Sequence, residues 1–199
     1  MSERYDRSRS DETGADQVSS GLSVAMPWQQ QLATEAPGWQ DLHDPLTGLA
    51  GSTIVIDRLR GALSRAQRSQ LTVAVVVIGL DRMGSLNDEL GWDAGSEILR
   101  RTAGALTRNL RSTDSAGRIG GDEFVVIADA LATWEDAAAI AERLDDAVSA
   151  PMMIADRLIM MSACIGVAIT AEATEEPDRL LRRACLAMRH EKRKSRDAR

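Results

Sequence analysis

The sequence predicts an α/β (α+β) domain in which a central mixed sheet is flanked by helices. Three observations carry that prediction. Leu71 to Ile78 (LTVAVVVI) is a near-continuous β-branched run, the pattern of a strand buried on both faces. Apolar residues at helical spacing lie on either side of it. They are Val55, Leu59, Ala62, Leu63 and Ala66 before the run, and Ile98, Leu99, Thr102, Ala103, Leu106 and Leu110 after it. The order strand, helix, hairpin, helix, strands, helix then asks for helices packed on one sheet.

Taken in order, residues 1–25 are polar without any apolar period, which predicts a disordered tail. Residues 26–43 hold Trp28, Leu32, Trp39 and Leu42 around Pro27 and Pro37, which predicts a linker or a short docking helix. The folded domain is expected over residues 44–197. Ser52 is placed to cap the first helix. In RIGGDEFVVIAD, two short apolar runs flank Gly120-Gly121 and predict a hairpin. Thr133 with Asp136 forms a capping-box signal for a helix running to about Ala150. Arg157 to Thr170 contains a β-rich stretch, and Pro177 suits the first position of a final helix through Leu180, Leu181, Ala184 and Met188.

Composition removes several functions. With 199 residues, 44% hydrophobic and 27% charged, the chain suits a soluble domain with one good core. Four Trp, one Tyr and one Phe are too few for a base-stacking platform, and a net charge of −6 disfavours nucleic acid. No run reaches the ~18 apolar residues of a membrane span. The first residues lack the apolar core of a secretory signal. Cys164 and Cys185 lack metal-like spacing to a His. A reducing, cytoplasmic setting without structural disulfide or zinc is expected.

The sharpest chemical signal is Gly120-Gly121-Asp122-Glu123-Phe124. Glycines at a strand turn let a phosphate-bearing ligand approach the backbone. Carboxylates beside them can hold Mg²⁺, which clamps phosphates. Taken alone, a hairpin with merely solvated acids accounts for these residues equally well.

The pattern around them resembles the GGDEF domain of diguanylate cyclases over most of residues 41–197. Asp44-Pro45-Leu46-Thr47-Gly48-Leu49 is similar to the family's opening D-x-L-T-G-L. Leu80-Asp81, then Asn87-Asp88, Gly91 and Gly95, is similar to its segment after the first strand. Lys192 and Arg196 fall where the family ends its last helix. The resemblance implies a fold like the polymerase palm and the class III nucleotide cyclases. It also implies a chemistry, in which two GTP-loaded domains together make cyclic di-GMP. Asp122 and Glu123 would then be the catalytic, metal-binding carboxylates, with Mg²⁺ as cofactor where GTP binds. Asn87, Gly120, Gly121, Lys192 and Arg196 would contact substrate.

Several positions depart from the family. Ungapped alignment puts the first metal-binding Asp at Gly79, which has no side chain. Asp81 lies on the same strand face but ~6.6 Å further along, and a structural role at a helix start is expected for it. Met83-Gly84 replaces Phe-Lys, and Ser96 replaces an Asp that would accept from the guanine edge. Gly51-Ser52, Cys185 and Ser195 also differ. Metal, phosphate cations and base registration act as a unit, so GTP turnover is expected to be very weak or absent.

Arg111-Ser112-Thr113-Asp114 is an R-x-x-D at the family's usual distance before the glycine pair, where active cyclases carry an inhibitory product site. Arg111 would fork onto a phosphate or guanine edge and Asp114 would accept from guanine N–H groups. Arg118 would add charge. The pattern alone is weak, since chance supplies roughly two matches and Arg143–Asp146 is another. The bland alternative for Arg111 and Asp114 is a surface ion pair worth little. Three readings stand. They are a degenerate domain that binds cyclic di-GMP and acts through a protein partner or homodimer, a working cyclase, and a ligand-independent interaction module.

Overall fold

The computed structural model describes residues 42–170 and 175–197. The expectations for the N-terminal tail and for nearly all of the 26–43 linker lie outside the described residues. The chain runs α1 (Ser52–Ser69), β1 (Thr72–Leu80), α2 (Met83–Leu90), α3 (Trp92–Arg108), β2 (Ser115–Arg118), β3 (Glu123–Leu131), α4 (Trp134–Ser149), β4 (Met152–Ile154), β5 (Arg157–Ile159), β6 (Ala163–Ile169) and α5 (Pro177–Asp197). The main sheet has the order β2-β3-β1-β6, and β4 with β5 forms a separate small ribbon.

The β-branched run becomes β1, the inner strand between β3 and β6. Its alternate residues feed two cores. Ala74, Val76, Ile78 and Leu80 pack with Ile98 and Leu106 of α3 and with Ile140 and Leu144 of α4. Val73, Val75 and Val77 pack with Val55 and Leu59 of α1 and with Leu180 and Leu181 of α5. Burial of each Val, Ile or Leu among them contributes roughly 1.5–3 kcal/mol. Helices on both faces explain why the run shows no alternation.

The expected sheet flanked by helices is present. Its three strand pairings are all antiparallel. The mixed character survives only as an isolated parallel bridge between Ala50 and Gly117. That bridge also shifts the start of α1. Ala50 is held in a strand-like conformation, so extended Gly51 is the N-cap and Ser52 is the first helical residue, with no side-chain cap. The Thr133–Asp136 capping box forms as expected, and α5 begins at Pro177. Two elements escaped the sequence reading, the short α2 and the strand β4.

Gly166 in β6 sets the position of α5. A side chain there would collide with the backbone of Ala184 and Met188. The glycine lets α5 lie directly on the sheet, with its C-terminal half over the ends of β1 and β3.

Candidate functional site

Two regions carry the residues singled out above. The first is the cleft at the end of β1. Gly79 pairs with Glu123 of β3 and with Cys164 of β6. Glu123 shares its strand face with Val125 and Ile127, the sheet face that α1 and α5 cover. The loop before β3 is tied down at two points. Ile119 N–H donates to the Glu123 carbonyl at 3.0 Å, and Leu80 N–H donates to the Asp122 carbonyl at 3.0 Å. Gly121 faces open space, while a Cβ at Gly120 would lie 3.3 Å from Glu123.

α5 fills the cleft with its own cations. Lys192 Nζ donates to the Leu80 carbonyl at 3.1 Å and to Asp122 Oδ2 at 2.9 Å. Arg189 Nη2 lies 3.7 Å from Glu123 Oε1. Both signature carboxylates therefore already have a cationic partner. Arg196 is exposed one turn beyond Lys192. Helical spacing from Lys192 would have pointed to Arg189, which the sequence reading missed.

A divalent ion does not suit this donor set. Mg²⁺ takes a near-ideal shell of oxygens. At residue 79 the strand offers no carboxylate, and a Cβ there would lie 2.8 Å from Met188 Sδ, a soft thioether. The Leu80 carbonyl and Asp122 are held by an ammonium. Among the described residues, no group of three or more His, Cys, Asp or Glu side chains is arranged to hold a metal.

Asp81 has a structural role, and the bonds that show it tie two strand ends. Its carboxylate accepts from Ser162 Oγ at 2.9 Å and from Cys164 Sγ at 3.4 Å, joining the end of β1 to the start of β6. Burial, then the Asp81 charge, pushes the Cys164 thiol up to about 12, and burial raises Cys185 to about 12. Both cysteines are free. Asn87 ends up over Gly95, with its Oδ1 where a side chain at 95 would stand. That oxygen is buried without a hydrogen-bond partner.

The second region is the turn between α3 and β2. Arg111 N–H donates to Asp114 Oδ2 at 3.0 Å, and Asp114 N–H donates to the Arg111 carbonyl at 3.1 Å. The Asp114 carboxylate thus closes the turn through the backbone, and the Arg111 side chain stays exposed. The surface ion pair of the bland reading is not what forms. Asp114 lines two adjoining open cavities of about 320 and 500 Å³. Arg58 of α1 lines both, Arg111 lines the first, and Arg65 lines the second. Arg65 is already paired with Asp129 at 2.7 Å. Nothing in the sequence marked Arg58 among so many arginines.

The other R-x-x-D is different in kind. Arg143 and Asp146 lie inside α4, and Arg143 Nε donates to the Asn109 carbonyl at the end of α3. Arg118 is also elsewhere. Its guanidinium donates to both Asp44 oxygens, at 2.9 and 3.0 Å, and to the Gly121 carbonyl at 2.6 Å. Its side chain is 12% exposed and lines neither cavity. It serves as a post between the opening segment and the signature loop, so the expectation that it adds charge at the turn is corrected.

Comparison with known proteins agrees with this fold. A sequence model described as the diguanylate cyclase GGDEF domain matches residues 41–198. The diguanylate cyclase TpbB of Pseudomonas aeruginosa is 35% identical over 175 residues, covering 86% of this chain and 40% of TpbB. The chain thus spans less than half the length of that relative. The solved GGDEF domain of the same protein superposes with a TM-score of 0.73 at 36% identity, over 76% of this chain and 89% of that one. A microbial GGDEF domain described in its interaction with bis-(3′,5′)-cyclic di-GMP gives a TM-score of 0.64 at 26% identity, over 76% and 90%. No helix among the described residues is long and apolar enough to cross a membrane.

Proposed function

The chain belongs to the diguanylate cyclase GGDEF-domain family, and from that premise we propose that it is a non-catalytic cyclic di-GMP receptor. It binds the dinucleotide at Arg111 and Asp114 and passes the signal on by protein contact, to a partner or to a second copy. GTP turnover is lost because the cleft lacks an anion at Gly79 and its remaining carboxylates are neutralised from within. The observation that carries this reading is the contrast in charge pairing. Asp122 is 2.9 Å from the Lys192 ammonium, whereas the Arg111 guanidinium is exposed beside cavities that Asp114 and Arg58 also line. An exposed guanidinium suits a phosphate or a guanine edge, and the Asp114 carboxylate suits guanine N–H donors. The same face includes Arg58, which we add to the ligand site.

Calorimetry tests this. Cyclic di-GMP is expected to bind the wild-type chain, and Arg111→Ala is expected to weaken it ~10–100-fold, the loss of a charge-assisted contact. Asp146→Ala, in the other R-x-x-D, is expected to leave binding unchanged. GTP incubated with the chain and Mg²⁺ or Mn²⁺ is expected to stay intact by nucleotide chromatography. Absent binding, or binding indifferent to Arg111, rejects the receptor role. Accumulating cyclic di-GMP rejects the loss of catalysis and restores the cyclase reading.

A further inference from the structure

We propose that Lys192 is a resident replacement for the divalent ion, so that this cleft is held together by an ammonium and takes no metal. The argument starts from what the ammonium touches. A backbone carbonyl and a carboxylate oxygen converge on Lys192 Nζ at 3.1 and 2.9 Å. Those are the hard oxygen donors a small divalent cation selects. The two donors come from different strand ends. Leu80 closes β1, and Asp122 precedes β3. One cation bridging them does a metal's mechanical work, fixing the signature loop against the inner strand.

The charges fit the same assignment. Asp122 and Glu123 are matched by Lys192 and Arg189, both from one face of α5. With both signature carboxylates matched by cations, an entering divalent ion would have to displace an ammonium and then leave that charge beside it. The third side of the site has no oxygen to offer, because Met188 Sδ lies 2.8 Å from the place a Cβ on Gly79 would occupy. Gly166 keeps α5 seated so that Lys192 reaches both donors. Gly79 offers no side chain, and Lys192, a residue the family pattern also places here, settles on the two oxygen donors that remain.

This inference deepens the loss of catalysis proposed above and is independent of Arg111. It is tested by following free Mn²⁺ by electron paramagnetic resonance while it is titrated into the purified chain. The wild type is expected to show no saturable binding in the millimolar range, which needs no variant to read. Lys192→Met keeps the apolar stem and removes the charge. It is expected to tighten Mn²⁺ binding at least ~10-fold, and Asp122→Asn added to it is expected to abolish the gain. Added Mn²⁺ should raise the melting temperature of Lys192→Met and leave the wild type unchanged. Saturable binding to the wild type, no gain in Lys192→Met, or a gain that survives Asp122→Asn overturns the proposal. Cyclic di-GMP calorimetry on the same samples reads the receptor role separately.

Discussion

The cleft and the turn hold similar chemistry in opposite states. In the cleft, Asp122 and Glu123 each face a cation from α5, at 2.9 and 3.7 Å. In the turn, Asp114 is occupied by a backbone N–H at 3.0 Å and leaves the Arg111 side chain exposed. The cleft keeps the family's most recognisable residues but has a glycine at residue 79 and a serine at residue 96 beside them. The turn keeps two diagnostic residues, and its backbone closes on Asp114 while Arg111 faces solvent. A surviving motif therefore says little until the groups that must act with it are accounted for. Charge satisfied inside the protein is charge withdrawn from a ligand.

Arg118 is where the two regions share a support, and removing it is expected to break the comparison most severely. Its guanidinium holds Asp44 and the Gly121 carbonyl together. Asp44 in turn accepts from Thr47 and from the Gly48 N–H in the opening segment, and Gly48 and Leu49 line the first cavity. Arg118→Ala leaves a mostly buried carboxylate without its cation. The expected cost is about 3 kcal/mol, or ~6–12 °C in melting temperature. Thermal melts with and without cyclic di-GMP check it. Both the signature loop and the ligand face should suffer, unlike any change confined to one region.

How much of this was legible beforehand depended on whether the determining contacts were local. β1, the hairpin, the Thr133 cap and the Pro177 start are written in short stretches, and all were read from them. The antiparallel pairing of β1 was not, because a strand covered by helices on both faces shows the same unbroken apolar run in either direction. Ser52 was read as a cap since nothing nearby announces the Ala50–Gly117 bridge, 67 residues apart in sequence. Gly79 was found as a missing anion by alignment alone. That Met188 stands over it, and that Lys192 grips Leu80 and Asp122, required α5 to be seated on Gly166. Arg118 misled for the same reason. Its proximity in sequence to the turn says nothing about Asp44, its distant partner.

Restoring the missing anion sharpens the comparison. Gly79→Asp puts a side chain where Met188 Sδ is 2.8 Å away and is expected to force the thioether aside at a cost of ~1–3 kcal/mol. Cyclase activity should not return, because Lys192 still occupies Asp122 and the Leu80 carbonyl. Affinity for cyclic di-GMP should be unchanged, since the turn lies on other elements. Denaturant melts, nucleotide chromatography and calorimetry on one preparation separate the three statements. A drop in cyclic di-GMP affinity would show that the cleft and the turn are coupled.

The smallest effect expected is on acid stability, and it isolates the shared support without changing its shape. Burial alone would raise the pKa of Asp44, but hydrogen bonds from Thr47 and from Arg118 outweigh burial and hold the carboxyl below its ordinary value. A carboxylate whose pKa is lower folded than unfolded adds stability that is fully present above its unfolded value of about 3.9. That contribution fades as pH falls through the folded value. The advantage of wild type over Asp44→Asn is therefore expected to be constant from neutral pH to about pH 5 and to shrink below about pH 4. Urea melts at closely spaced pH values read this directly. An advantage that persists undiminished at the acid end would mean that shape at residue 44, rather than its charge opposite Arg118, supports both regions.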